Sequence, residues 1–96
     1  MLNVAIGGSN GRMGKSLVQA AMDEPKISIG AASVTENCPS LGEDVGLISG
    51  VGPLHVVTVD DFEQVMDDFD LMFDFTGTEA TIMHLDLCSR YGKKMV

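Results

Sequence analysis

Gly8, Gly11 and Gly14 stand at three-residue intervals between an apolar run, Val4-Ala5-Ile6, and an amphipathic stretch from Lys15 to Met22. Glycines in such a turn let the backbone bend tightly and leave no Cβ in the path of an approaching group. A helix that begins directly after the turn aims its unpaired N–H groups and the positive end of its dipole at the same place. The chemistry this supports is phosphate binding by backbone donors, which needs no basic side chain. The spacing Gly8-x-x-Gly11-x-x-Gly14 is one residue wider in its first half than the G-x-G-x-x-G fingerprint of dinucleotide-binding proteins, but its strand-turn-helix setting is the one that fingerprint requires. The plainer alternative is a glycine-rich turn that only joins a strand to a helix.

Other residues able to do chemistry are fewer. Asp74 lies inside an apolar strand, where it either serves as a polar group at the ligand-binding edge of a sheet or is a carboxylate satisfied by nearby N–H groups and hydroxyls. His84 falls within a helix and is expected to be packed or solvated rather than catalytic, and His55 has no visible acid or nucleophile beside it. The acidic run from Asp60 to Asp70 lacks the loop spacing and glycine of a calcium site, so a helix start and a solvated face explain it and no metal is expected. Cys38 and Cys88 form no Cys-x-x-Cys pair and read as structural or incidental thiols.

The elements that must position these residues alternate between strand and helix. Leu2–Gly7 reads as a central strand covered on both faces, because its apolar run does not alternate with polar residues. Met13, Leu17, Val18, Ala21 and Met22 recur at helical spacing from Arg12 to Asp23, and Pro25 stops the pattern. Gly14, on the first turn of that helix, suits close packing of helix on strand. Residues 27–34 predict a second strand with small residues where a helix or ligand comes close, and residues 35–54 a long loop carrying Pro39, Gly42, Gly46, Gly50, Gly52 and Pro53. Residues 55–59 predict a third strand, followed by a helix over residues 62–66 or slightly beyond, capped by Asp60 or Asp61. Residues 70–77 give a fourth strand and its exit turn. The next helix is expected to be capped by Thr76 or Thr78, to present Ile82, Leu85 and Cys88 as its apolar face, and to end at Gly92. Residues 93–96 open a fifth strand. The whole is an α/β chain, a Rossmann-like doubly wound parallel sheet truncated after its fifth strand.

Composition excludes several classes. A length of 96 residues allows one domain with one modest core. Hydrophobic residues at 45% and charged residues at 21% are ordinary for an ordered globular chain. A net charge of −8 with scattered Lys and Arg argues against nucleic acid as a partner, but leaves dinucleotide binding by backbone groups open. With no secretory pattern and no run long enough to span a bilayer, the expected setting is cytoplasmic, reduced and away from membranes.

Val4-Ala5-Ile6 with Gly8-Ser9-Asn10-Gly11-Arg12-Met13-Gly14, then Gly30-Ala31-Ala32, then Phe69-Asp70 leading to Asp74-Phe75-Thr76, closely resemble the N-terminal part of the bacterial 4-hydroxy-tetrahydrodipicolinate reductases, also called dihydrodipicolinate reductases. The resemblance covers essentially the whole chain, and Gly11-Arg12-Met13-Gly14 and Asp74-Phe75-Thr76 are its most specific parts. It implies an N-terminal dinucleotide-binding domain over residues 1–96 and an NADH- or NADPH-dependent reduction of a dihydrodipicolinate-type dicarboxylate in lysine and diaminopimelate biosynthesis. By position, Gly8, Ser9, Asn10, Gly11, Arg12 and Met13 form the loop over the pyrophosphate, and Phe75 and Thr76 border the nicotinamide. The Arg12 guanidinium then stands beside the phosphates with directed donors. The family's Gly-Thr-Thr-Gly loop, its catalytic residues and most of its homotetramer contacts fall beyond Val96, so this piece is expected to be neither catalytic by itself nor tetrameric.

Two departures bear on the cofactor. Family members often carry an acid and an Arg at the end of the second strand, where this chain has Val34 and Thr35, with Glu36 slightly late; many carry Arg after Asp-Phe-Thr, where this chain has Gly77. Both missing arginines contact a 2′-phosphate, so dual use of NADH and NADPH, or a lean toward NADH, is expected. Two alternatives stand beside this reading. One is the cofactor domain of another amino-acid-pathway dehydrogenase, such as an aspartate or homoserine dehydrogenase, against which the two specific runs speak. The other is a non-catalytic dinucleotide-sensing module, which the short length suggests.

Overall fold

In the computed structural model, which describes residues 2–96, β1 (Leu2–Gly7) lies between β2 (Ile27–Ala32) and β3 (Leu71–Asp74), and β4 (Lys94–Met95) completes the sheet beyond β3. Every strand pair is parallel. The unbroken apolar run of β1 is explained by burial on both faces: Val4, Ala5 and Ile6 are at most 1% exposed. Val4 and Ile6 join Val18 of α1 (Arg12–Ala21), Ile29, Ala32 and Val45 on one face. Ala5 points the other way, toward Phe62, Met66, Phe69, Met72, Leu87 and Cys88. The two clusters are the two faces of a doubly wound α/β sheet.

β2 keeps both clusters supplied by skipping a residue. Val4 pairs with Ile29 but Ala5 pairs with Ala31, so Gly30 is the extra residue of a bulge, and Ile29 and Ala32 end up on the same face. A side chain at Gly30 would run into the Asp68 carbonyl at the end of the 3-10 helix Phe62–Asp68, which is the close approach its size permits. Asp61 caps that helix, its carboxylate accepting from the Glu63 N–H at 2.9 Å.

Several expected elements are corrected. The third strand does not form. His55 adopts a left-handed φ of 61°, and the residues after it pair mostly with the preceding loop: the Thr58 N–H donates to the Glu43 carbonyl and the Val56 carbonyl accepts from the Val45 N–H. Only Val59 reaches the sheet, in a single parallel bridge to Ser33, so the described sheet has four strands rather than five. The long loop, whose twenty residues are too many for a structureless connection, does contain a short element. It holds a one-turn helix, α2 (Val45–Ile48), and is gathered by the Asp44 carboxylate, which accepts N–H groups from Leu47 at 3.1 Å and from Leu54 and Val56 at 2.9 Å. Those bonds outweigh the effect of burial and hold the Asp44 carboxyl below its ordinary value.

α3 (Thr78–Tyr91) starts at Gly77 with no side-chain cap, because the Thr76 hydroxyl is engaged by Asp74 instead. Its buried face is His84, Leu87 and Cys88; Ile82 and Leu85 are 63% and 56% exposed. The expected face holds at Cys88 and fails at Ile82 and Leu85: the helix turns two polar residues, Thr81 and His84, toward the sheet because a carboxylate there receives them. The helix ends as expected. Gly92 takes φ 69°, its N–H donates to the Ser89 carbonyl, and the Lys93 N–H reaches the Cys88 carbonyl at 2.8 Å, closing a Schellman motif.

Candidate functional site

At the C-terminal end of β1 the chain turns at Gly8, whose φ of 76° is one that L side chains rarely adopt. The turn is clamped to the residue after β2. The Gly8 N–H donates to Ser33 Oγ at 3.2 Å, while the Ser9 N–H and hydroxyl both donate to the Ser33 carbonyl, at 2.8 and 2.9 Å. Its other wall is β3's exit: a Cβ on Gly8 would lie 2.9 Å from the Phe75 carbonyl oxygen. Gly14 allows the first turn of α1 to sit on this loop, since a Cβ there would lie 2.5 Å from the Gly8 oxygen and 2.8 Å from the Ser9 Cα. The close partner of Gly14 is thus the loop rather than the strand.

Gly11 is different. It is the N-cap of α1 with φ −82° and ψ 170°, and a Cβ there would have only the Gly8 oxygen near it, at 3.5 Å. No side chain caps the helix, and no acid stands in its first turn. The N–H groups of that turn are left for solvent or an anion.

The loop forms one wall of a cleft of about 370 Å³ at the carboxyl edge of the sheet, a size in the range of small-molecule sites. Gly8, Asn10 and Gly11 face Phe75, Thr76 and Gly77 across it, and Ser33, Val34, Thr35 and Asp60 close the β2 end. This is the crevice beyond the strand ends where ligands bind in open α/β sheets. Of the eight residues singled out in the sequence, Gly8, Asn10, Gly11, Phe75 and Thr76 line the cleft. Ser9 is fully buried, with both its hydroxyl and its N–H spent on the clamp, so it supports the loop from beneath and does not line the cleft. Arg12 and Met13 are exposed on the first turn of α1, outside the lining. Glu36 is exposed and lines a neighbouring depression instead.

His84, expected to be packed or solvated, is packed, and from α3 it also lines the cleft, a position its place in the sequence does not show. Its Nδ1 lies 3.1 Å from Asp74 Oδ1, and its ring packs edge-on against Phe62 with centroids 5.0 Å apart. Asp74 is 3% exposed at the side chain and also accepts from the Thr76 hydroxyl at 2.6 Å, the Thr76 N–H at 3.3 Å and the Thr81 hydroxyl at 2.5 Å. Burial pushes its pKa up; the bonds from Thr76, Thr81 and His84 outweigh that and hold the carboxyl below its ordinary value. Asp74 is therefore a satisfied carboxylate that ties the Phe75–Thr76 turn to α3. The readable signal was Thr81 and His84, three residues apart on one helix face, following an acid in the strand. Among the described residues, no group of three or more His, Cys, Asp and Glu is arranged to hold a metal. No described helix is long and apolar enough to cross a membrane.

Comparison with known proteins bears on the same residues. The family model described as dihydrodipicolinate reductase, N-terminus, matches residues 2–96. The chain belongs to that family. It is 50% identical over all 96 residues to a 4-hydroxy-tetrahydrodipicolinate reductase of Hahella chejuensis (strain KCTC 2396), and spans 36% of that relative's length. The fold is shared with three solved structures. An amine dehydrogenase from Mycobacterium smegmatis matches with a TM-score of 0.81 at 21% identity, covering 98% of this chain and 28% of that one. Aspartate semialdehyde dehydrogenase with NADP from Candida albicans matches at 0.77 and 12% identity, with 99% and 28% covered. Dipicolinate-bound dihydrodipicolinate reductase from Paenisporosarcina sp. TG-14 matches at 0.76 and 22% identity, with 99% and 36% covered. These three structures share the fold with this chain, while the family model and the Hahella relative separate it from the aspartate and homoserine dehydrogenase alternative.

Proposed function

We propose that this chain is the NAD(P)H-binding domain of a 4-hydroxy-tetrahydrodipicolinate reductase, a cytoplasmic homotetramer in its full-length form, which reduces a cyclic dicarboxylate in lysine and diaminopimelate biosynthesis. The observation that carries this reading is the glycine loop. It meets an uncapped helix N-terminus at the edge of a ligand-sized cleft, in a chain that matches the family over residues 2–96. The fit rests on shape as well as donors: Gly8 and Gly14 hold the loop flat against β3's exit and α1, and Gly11 leaves its outer surface open.

When bound, a reduced nicotinamide supplies the hydride. The chain's own part is to hold and orient it. In the loop from Gly8 to Met13 the N–H groups of Gly8, Ser9 and Gly11 are spent on Ser33 and on the Gly8 carbonyl and fix its shape, while those of Asn10, Arg12 and Met13 bind the pyrophosphate, with the exposed Arg12 side chain free to turn onto it. Phe75 and Thr76, fixed by Asp74, border the cofactor from the β3 side, toward the nicotinamide. The cofactor is NADH or NADPH, with NADH favoured because Val34, Thr35 and Gly77 offer nothing to a 2′-phosphate. The substrate-binding and acid-catalytic groups belong to the rest of the full-length protein, whose relative is much longer than this chain.

The test is turnover by the full-length protein: oxidation of NADH or NADPH in the presence of the dihydrodipicolinate-type substrate. Substrate-dependent oxidation that is lost on Gly11→Ala supports the reading. A folded protein that binds the dinucleotide but never transfers hydride supports the sensing module instead.

A further inference from the structure

The end of β2 carries no acid, yet the cleft beside it does. Val59 is the one residue of its segment that joins the sheet: its N–H donates to the Ala32 carbonyl at 3.0 Å and its carbonyl accepts from the Val34 N–H at 2.9 Å. This two-bond bridge fixes the residue that follows, Asp60, next to the β2 end, and Asp60 lines the cleft together with Ser33, Val34 and Thr35. A carboxylate delivered by the neighbouring segment thus takes the place that an acid on β2 itself occupies in other dinucleotide folds.

The surroundings reinforce its sign. None of the chain's 6 Lys and Arg residues lines the cleft. Asp60 also faces an adjoining depression lined by Glu36, Asp61, Glu63 and Asp86, where Arg90 is the sole cation and sits 3.1 Å from Asp86. Hydroxyl groups suit such an environment, because a carboxylate accepts their hydrogen bonds. A dianionic phosphate does not, since it meets like charge with no counter-ion.

We infer that Asp60 is the specificity-determining residue at the adenosine end of the cleft, accepting the ribose hydroxyls of NADH and repelling the 2′-phosphate of NADPH. The inference rests on the dinucleotide reading above. It assigns discrimination to a residue outside β2, which no spacing rule counted from the glycine loop would select.

The experiment is calorimetric titration of the protein with NADH and with NADPH, at low and high salt, for the unaltered chain and for Asp60→Asn, Asp60→Glu and Glu36→Gln. Asp60 is exposed, so these changes leave the core untouched. The unaltered protein binds NADH at least about tenfold more tightly than NADPH, and high salt narrows the gap. Asp60→Asn shifts the ratio toward NADPH by about tenfold, Asp60→Glu retains the preference, and Glu36→Gln moves it by less than about twofold. An unchanged ratio in Asp60→Asn with NADH still bound overturns the inference while leaving the dinucleotide reading intact. An equal shift in Glu36→Gln overturns it too, because the discrimination would then be the general field of the acidic surface. Binding of neither nucleotide by the folded, unaltered protein removes the reading and the inference together.

Discussion

Gly11→Ala separates folding from ligand binding, because the three loop glycines meet different surroundings. At Gly11 the added methyl has one neighbour, at 3.5 Å, an ordinary contact, and φ −82° with ψ 170° is comfortable for alanine. Restricting the unfolded chain favours alanine by about 0.4–1 kcal/mol. Replacing glycine at an N-cap costs a similar amount, on the order of 0.5–1 kcal/mol. The two offset, so the melting temperature is predicted to stay within about 5 °C of the unaltered protein. Gly14→Ala has no such latitude: its methyl would lie 2.5 Å from the Gly8 oxygen, a backbone atom that cannot swing aside. Overpacking of this kind costs about 1–3 kcal/mol, which for a chain of 96 residues lowers the melting temperature by roughly 4–20 °C. The Gly11 methyl, by contrast, stands on the cleft surface, on the side that the proposed binding mode gives to the pyrophosphate. Loss of even one hydrogen bond to a charged phosphate, about 1.5–3 kcal/mol, weakens dinucleotide binding at least about tenfold. Thermal melts and calorimetric titration of the two variants check the pair. A Gly11→Ala protein that folds and binds dinucleotide undiminished would refute the reasoning, since the loop would then not be where phosphate sits.

Three further outcomes are predicted. Asp44→Ala removes the carboxylate that three N–H groups share, and denaturant unfolding is expected to show a loss of about 2–3 kcal/mol; a loss under about 0.5 would mean that water replaces those bonds freely. Asp74 has its carboxyl held below the ordinary 3.8, so its stabilising contribution is complete above that value and is lost as pH falls through the lower, folded one. Acid unfolding of Asp74→Asn is therefore shallower below about pH 4 than that of the unaltered protein, and parallel acid limbs would contradict the network. Gly77→Arg places a side chain where nothing lies within 4 Å, so the melting temperature holds while NADPH affinity rises about tenfold; NADPH affinity that stays the same would show that Gly77 lies away from the 2′-phosphate.

What could be read in advance was whatever local spacing decides. The glycine loop, β1, α1 and the Gly92 stop follow from residue type at fixed offsets, and each lies where those offsets put it. The family, too, was legible from Gly11-Arg12-Met13-Gly14 and Asp74-Phe75-Thr76. The features that escaped depend on partners distant in sequence. Residues 55–59 carry strand-like side chains, but a left-handed His55 and pairing with Glu43 and Val45 take them away from the sheet. The face of α3 was misread because hydrophobicity ranks Ile82 and Leu85 above Thr81 and His84, whereas a buried Asp74 reverses the ranking at that place. Asp60 enters the cleft only through the bridge of Val59 to Ser33, a contact between residues distant in the sequence that no local pattern announces.

The central claim, that the glycine loop and the cleft beside it hold a nicotinamide dinucleotide, is tested most directly by calorimetric titration of the unaltered protein with NADH and with NADPH. The structure predicts one saturable site per chain, with NADH the tighter ligand. A correctly folded protein that takes up neither would contradict it, and would leave Gly8, Gly11 and Gly14 as a turn and nothing more.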